Sequence, residues 1–173
     1  MPNRADIAYR PVPDVTVPNN IVVSSPDLVD GAPMDARFAN TGAGCGGENI
    51  TPRLEWSNVP EGTKSIAITC FDPNAPTGSG FWHWIVADLP PSTTSFGPGD
   101  KGSDFPNDYG LLGYNGPCPP SGGPHNYIFT VHALGIEKLG LPQGATHTFA
   151  RFAIHTNAIA QGTITGTYEC PAT

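Results

Sequence analysis

Asp72, His83, His125 and Tyr127 are the residues of this chain whose types and settings suit polar chemistry. Asp72 opens a proline-bracketed turn, Asp72-Pro73-Asn74-Ala75-Pro76. His83 stands between two tryptophans in the apolar run Phe81-Trp82-His83-Trp84-Ile85-Val86. His125 and Tyr127 lead from a proline- and glycine-rich stretch, Gly113 to Pro124, into the apolar run Ile128-Phe129-Thr130-Val131. A carboxylate beside an imidazole fixes the ring's tautomer and favours its cation. Two imidazoles can donate N–H bonds to an oxyanion, strongly when protonated. Tyr127 is two residues from His125, so in a strand both point to one face. Each residue also has a plainer role. Asp72 would serve as a turn aspartate bonding nearby amides, His83 as a core histidine satisfied by backbone, His125 as an exposed turn residue, and Tyr127 as core packing. Phe81 and Trp82 would wall a pocket or simply pack.

The elements that must position these groups are short strands. Lys64 to Phe71 alternates Ile66, Ile68 and Cys70 against Ala67, Thr69 and Phe71, the period of a strand. His83 to Leu89 and Asn126 to Leu134 read as two more, and Val15 to Val17 and Ile21 to Ser24 as short ones. Apolar residues on both sides of the long strands predict a sheet covered on both faces. The turn at Asp72 is tight enough to suit a cis bond before Pro76. Pro90 to Pro124 lacks periodicity, and so long a loop in a compact domain is usually functional or disordered. Its aromatic and glycine content favours an ordered, functional loop. Thr148 to Gln161 reads as a helix with Phe149, Phe152, Ala153 and Ala160 on its apolar stripe, ended by Gly162. A last strand is expected over Thr163 to Tyr168. Residues 1–13 read as a loose arm and residues 14–173 as one domain. Many short strands and one late helix predict a mainly β, antiparallel sandwich-like fold with a peripheral helix.

Composition narrows the function classes. Glycine (21) and proline (20) together fall just below the share, about 25–30%, that marks low-complexity chains. Apolar runs recur nonetheless, so the chain should fold with many turns. A net charge of -7 and the lack of any basic run argue against a nucleic-acid surface. No apolar stretch approaches the roughly 20 residues of a membrane helix. The segment Met1 to Pro13 has no apolar signal core, which reads as a cytoplasmic protein. The four cysteines, Cys45, Cys70, Cys118 and Cys170, contain no Cys-x-x-Cys pair, so spacing implies no zinc. A cytoplasmic setting would keep them mostly as thiols, with Cys70 a buried small hydrophobe. Gly42 to Gly47 is glycine-rich but lacks the Lys-Ser/Thr ending of a phosphate-cradling loop. No cofactor is implied, and one aspartate with two histidines is a common chance grouping, so no metal is assigned.

The order of the motifs resembles the phosphatidylethanolamine-binding protein family, also called Raf kinase inhibitor protein-like, in its bacterial and archaeal branch. That family carries Asp-Pro-Asp-x-Pro, Trp-His-Trp, Gly-Pro-x-Pro-Pro and Gly-x-His-Arg-Tyr in sequence. Here these read as Asp72 to Pro76, Trp82 to Trp84, Gly116 to Pro120 and Pro124 to Tyr127. Glu48 to Trp56 resembles the family's Asn-x-Ser-Pro-x-Leu-x-Trp, and the match runs from about Val15 to Glu169. The resemblance implies a large antiparallel sheet with a smaller one packed on it. It also implies a ligand pocket lined by Asp72, His83, His125 and Tyr127, with Pro119 and Pro120 shaping the rim and the Cys118 backbone beside the anion. Cys45 and Cys118 then fall in two loops near the pocket, where a redox-sensitive pair is the alternative to two thiols. Two positions depart from the pattern: the second motif aspartate is Asn74, and the arginine after the pocket histidine is Asn126. Both swap a charge for an amide, with opposite signs. We read them as partners whose ion pair has become an amide contact. The family's eukaryotic C-terminal helix has no counterpart after Tyr168.

The leading expectation is a binding protein for a small anionic group: a phosphate, a phosphorylated headgroup or a carboxylate. A second is an inhibitor or modulator of a kinase or serine protease, which calls for exposed apolar residues such as Phe96, Phe105 and Tyr109 at the rim. A third is a hydrolase using Asp72 with a histidine as oriented base. Gly78-Ser79-Gly80 is no nucleophile elbow, and Cys118, the other candidate nucleophile, has nothing in the sequence to activate it.

Overall fold

The protein is described here from a computed structural model covering residues 17–42 and 44–171. The arm expected over residues 1–13 and most of the strand expected at Val15 to Val17 lie outside the described residues. The elements are β1 (Val22–Ser24), a 3-10 turn (Ala36–Phe38), β2 (Leu54–Ser57), β3 (Ser65–Asp72), β4 (Phe81–Leu89), β5 (Ser95–Phe96), β6 (Ser103–Asp104), β7 (His125–Leu134), α1 (His147–Asn157) and β8 (Ala158–Tyr168). A large sheet has the order β6-β4-β3-β7-β8 and a small one the order β1-β2-β5. Every pairing between these strands is antiparallel. This is the mainly β architecture expected from the strand pattern.

β3 is central and buried along its whole length. Its two apolar faces serve two cores. Ile66, Ile68 and Cys70 join Leu54, Trp56, Phe96 and Phe129 between the sheets. Ala67 joins Ile85, Ala87, Leu134, Ala150 and Ile154 beneath the helix. Each face removes apolar area from water at about 25 cal/mol per Å², which is what holds the layers together.

The last third departs from the sequence reading. The helix ends at Asn157 rather than Gln161, and the final strand starts at Ala158 rather than Thr163. Pairing of β8 with β7 from Leu134↔Ala158 to His125↔Tyr168 outweighs the local helical pattern. Gly162 ends no helix. It sits where the Ile21 carbonyl oxygen approaches so closely that a Cβ would lie 2.0 Å from it. The apolar stripe of α1 is Ala150 and Ile154, small enough to sit on Ala67 and Ala87, while Phe149 and Phe152 face solvent. No cis peptide bond occurs among the described residues, so the one expected before Pro76 is not formed.

Two bulges interrupt the β3–β4 ladder. Cys70 pairs with Trp84 and Phe71 with Trp82, which leaves His83 as the extra residue. Near the other end Ile66 pairs with Leu89 and Ile68 with Val86. There Asp88 adopts φ 60 and its Oδ1 accepts from the Leu139 amide at 2.8 Å.

β7 also buries a histidine outside the candidate site. His132 Nε2 lies 3.0 Å from Thr69 Oγ1, and burial, reinforced by His155, pushes its pKa down to about 3. An unfolded histidine titrates near about 6.5. Between those values the unfolded chain binds the extra proton, so the stabilisation is complete above about pH 6.5 and is lost as pH falls toward 3. The slope should reach about 1.4 kcal/mol per pH unit for this one group. Urea unfolding of wild type and His132→Gln across this window should show a shallower dependence for the variant. Equal slopes would mean that another group carries the acid sensitivity.

Candidate functional site

The C-terminal end of β3 lies between the starts of β4 and β7 because β3 is antiparallel to both. That topology brings Asp72, His83, His125 and Tyr127 together from three strands. Asp72 lies on the same face of β3 as Ile68 and Cys70, and His125 and Tyr127 lie on the matching face of β7.

Asp72 is almost fully buried, and both of its oxygens are committed. Oδ1 accepts from the amides of Asn74 and Ala75 at 2.8 and 3.2 Å, and Oδ2 lies 2.7 Å from His125 Nδ1. The turn role and the site role are thus both filled by one side chain. A carboxylate only accepts, so the His125 proton facing it sits on Nδ1.

His83 owes its orientation to the bulge. In an unbroken strand it would point away from the face of Trp84. As the inserted residue it is re-aimed, and its ring meets Tyr127 edge-on at 5.2 Å between centroids. His83 Nδ1 donates to the Asn115 carbonyl at 2.7 Å, and the Asn115 amide returns a bond to the His83 carbonyl at 3.1 Å. Burial lowers the His83 pKa, partly opposed by the Asn115 carbonyl and by the charges of Asp72 and Asp108. Neutral His83 therefore keeps its proton on Nδ1 and presents a bare Nε2. Of the two imidazoles read as donors to an oxyanion, His83 is disfavoured as a cation, because desolvation outweighs Asp72.

Tyr127 is buried, and its hydroxyl has no hydrogen-bond partner among the described residues. Burial raises its pKa far above the ordinary phenol value, with Asp72 adding to the effect, so the group is a neutral O–H.

Phe81 joins the group, 4.9 Å from the His83 ring. Trp82 does not. It stacks on Phe71 at 4.3 Å and lies under the Arg151 guanidinium, on the helix side of the sheet. Its displacement to that face is the other consequence of the bulge. Tyr109, read from sequence only as a rim residue, meets both Phe81 and His83 edge-on, at 4.7 and 5.8 Å. Buried Asn107 sets the turn that brings it there. Its Oδ1 accepts from the Tyr109 and Leu111 amides and its Nδ2 donates to the His83 and Gly113 carbonyls. An Asn in an aperiodic loop carries no sequence signal strong enough to reveal this.

The loop holding Cys118, Pro119 and Pro120 is fixed by backbone. Gly116 donates to Asn49 Oδ1 at 2.7 Å and lies so close to the Phe38 carbonyl that a Cβ would be 2.0 Å from it. Pro119 is buried, Pro120 is exposed, and Pro117 accepts from the Asn40 amide at 2.9 Å. Cys118 is bonded to Cys45 in a disulfide, so the expectation of two thiols is corrected. The reason is spatial: two residues 73 positions apart in sequence come to a Cα–Cα distance of 5.3 Å, within the range a disulfide requires.

The two departures from the family pattern are in contact. Asn74 Oδ1 accepts from the Asn126 backbone amide at 2.8 Å and from Asn126 Nδ2 at 3.0 Å. The inferred amide contact in place of an ion pair is therefore formed.

The chain is similar to several known proteins in sequence and fold. Residues 24–169 match the family model described as phosphatidylethanolamine-binding protein. The chain is 44% identical to the UPF0098 protein YbhB of Escherichia coli over 84% of this chain and 98% of that one. It is 39% identical, over 86% of this chain and 72% of the other, to a Mycobacterium tuberculosis protein whose name proposes a lipoprotein, LppC. The crystal structure of E. coli YbcL, described as a new member of the mammalian PEBP family, superposes with a TM-score of 0.83. The identity is 38%, with coverage of 87% of this chain and 99% of that one.

Restoring the charges should restore an ion pair. In a double-mutant cycle, Asn74→Asp with Asn126→Arg should be more stable than the sum of the single changes by about 0.5–1 kcal/mol, the range for an exposed pair. Urea denaturation measures it. Strict additivity would show that the two loops do not communicate through these side chains.

Proposed function

The chain belongs to the phosphatidylethanolamine-binding protein family, and from that premise we propose that it holds a small anionic group at Asp72, His83, His125 and Tyr127. The group is a phosphate, a phosphorylated headgroup or a carboxylate, with the Cys118–Pro120 backbone at its rim. The observation that carries this reading is the Tyr127 hydroxyl. Leaving a buried donor without a partner costs about 1–3 kcal/mol, and a ligand oxygen at this point would recover it. The hydroxyl belongs to a ring in contact with that of His83.

The proton positions give the reading a sign. His83 Nδ1–H is committed to Asn115 and His125 Nδ1–H to Asp72. Each neutral ring therefore offers a lone pair at Nε2, and each becomes a donor there only on protonation. Contact of an anion with either Nε2 therefore needs a proton, taken up by the ring or carried in by the ligand. Calorimetric titration with phosphate and with phosphoethanolamine should show affinity rising as pH falls from about 8 to about 5.5, tenfold for each roughly 1.4 kcal/mol gained. His125→Ala should weaken binding and flatten that dependence. Tyr127→Phe should weaken it about fivefold, the worth of about 1 kcal/mol, with the pH dependence retained. Affinity that neither varies with pH nor responds to Tyr127→Phe would end this assignment.

A second reading, modulation of a kinase or serine protease, draws on exposed apolar surface. Phe96 is buried in the core and Phe105 packs beneath the helix, so neither serves. Tyr109, Leu111 and Leu112 are 41%, 53% and 65% exposed, and the Tyr109 ring meets that of His83 edge-on. Titrating trypsin with wild type and with a Leu111→Asp/Leu112→Asp variant tests the protease form. Undiminished trypsin activity would remove it. The hydrolase reading is disfavoured because, in this structure, the Cys118 sulfur is held in a bond to Cys45.

No described helix is long and apolar enough to cross a membrane. An intramolecular disulfide persists mainly in oxidising compartments. With the lipoprotein name of the mycobacterial relative, this favours an extracytoplasmic setting over the cytoplasmic one read from the sequence.

A further inference from the structure

Three cysteine sulfurs meet where the Cys45 loop, the Gly113–Pro120 loop and the end of β8 come together. Beyond the Cys45–Cys118 disulfide, Cys170 Sγ lies 3.0 Å from Cys45 Sγ, and the three sulfurs fall within 4.8 Å of one another. The placement is built. Tyr168 closes β8 in register with His125, and its hydroxyl donates to the Cys45 carbonyl at 2.7 Å. That bond sets Cys170, two residues on, against the buried Cys45. Cys118 and Cys170 are both only half-buried, so Cys45 is the shared inner sulfur and the other two flank it. Cys70 lies apart, buried in β3.

We propose that Cys45, Cys118 and Cys170 form a thiol–disulfide exchange site, in which Cys170 displaces Cys118 from Cys45. The Cys170 Sγ–Cys45 Sγ bond forms as the Cys45 Sγ–Cys118 Sγ bond breaks. Its electron pair leaves on Cys118, and the proton given up by Cys170 ends there. The step is an isomerisation and needs no oxidant or reductant. Burial raises the Cys170 thiol, so the protein rests with Cys170 protonated, and exchange runs through the minor thiolate. The product frees a thiol on Cys118, between Pro117 and Pro119 and three residues beyond the carbonyl that holds His83. The backbone bonds of Gly116 and Pro117 do not depend on the disulfide, so the loop is held while its sulfur is released. The partner class such a site takes is a small thiol or disulfide, of which glutathione is the test probe.

The experiment is a time course of N-ethylmaleimide labelling of the unreduced protein at about pH 8.5, near the ordinary thiol pKa, followed by acid quench and disulfide mapping by mass spectrometry. The expected result is label on Cys170 in some molecules and on Cys118 in others, with both Cys45–Cys118 and Cys45–Cys170 linked peptides. Cys170→Ser should abolish label at Cys118. Cys118→Ser, oxidised with glutathione disulfide, should form Cys45–Cys170. That variant also loses the native cross-link, so its fold is checked by circular dichroism, and the wild-type time course decides without it. Label confined to Cys170 throughout the wild-type time course overturns the proposal. So does a folded Cys118→Ser protein whose Cys45 stays alkylatable after oxidation.

Discussion

The carboxylate of Asp72 is the group on which this structure turns. A charge that deep must be paired inside the protein, and removing one partner of such a pair costs about 3–5 kcal/mol. Asp72 meets the requirement by dividing its two oxygens. One closes the turn that leads into β4, and the other holds His125 at the start of β7. Only a residue at the C-terminal end of a central antiparallel strand can reach the starts of both neighbours. The strand order β4-β3-β7 and the candidate site are therefore one constraint seen twice.

Around that point the loops are joined by backbone more than by side-chain packing. Tyr114 donates to the Phe38 carbonyl at 2.9 Å, Asn49 bonds both the Tyr114 carbonyl and the Gly116 amide, and Asn107 spans from His83 to Leu111. A chain with this much proline and glycine can bring loops closer than side chains would allow, at the cost of fewer amide donors. Asparagine side chains, half-buried at Asn49 and buried at Asn107, supply the missing donors and acceptors. The disulfide then adds a covalent tie where the Cys45 and Cys118 loops meet.

Strand alternation and motif order made the large sheet, the helix and the grouping of Asp72, His83, His125 and Tyr127 legible in the sequence. The paired loss of opposite charges at two positions revealed the contact between Asn74 and Asn126. What stayed hidden depends on tertiary competition. Ala158 to Gln161 carry a helical pattern, yet their backbone joins the ladder on β7. The bulge at His83 shifts register by one residue, which moves Trp82 to the helix face and His83 to the site. Alternation alone predicts the reverse. The meeting of Cys45, Cys118 and Cys170 is set by loop closure over many residues, about which spacing says nothing.

The electrostatics of the site limit how it can act. The chain carries a net charge of -7, and the charged groups bonded to each other at the site are a carboxylate and an imidazole. The His125 ring faces the Asp72 carboxylate, which would offset a positive charge there, and burial disfavours a charge on His83. An incoming anion meets no strong attractive field at a distance, and steering of the kind that speeds association between opposite charges is absent. Its binding energy must come at short range. The contributors are a hydroxyl that is already desolvated, an imidazole whose second proton arrives with the ligand, and backbone at the rim. Such a site discriminates by shape and by protonation state more than by charge. A ligand that brings its own proton, such as a monoprotonated phosphate, can donate to a bare Nε2 and accept from Tyr127, using both features without a net charge in the protein.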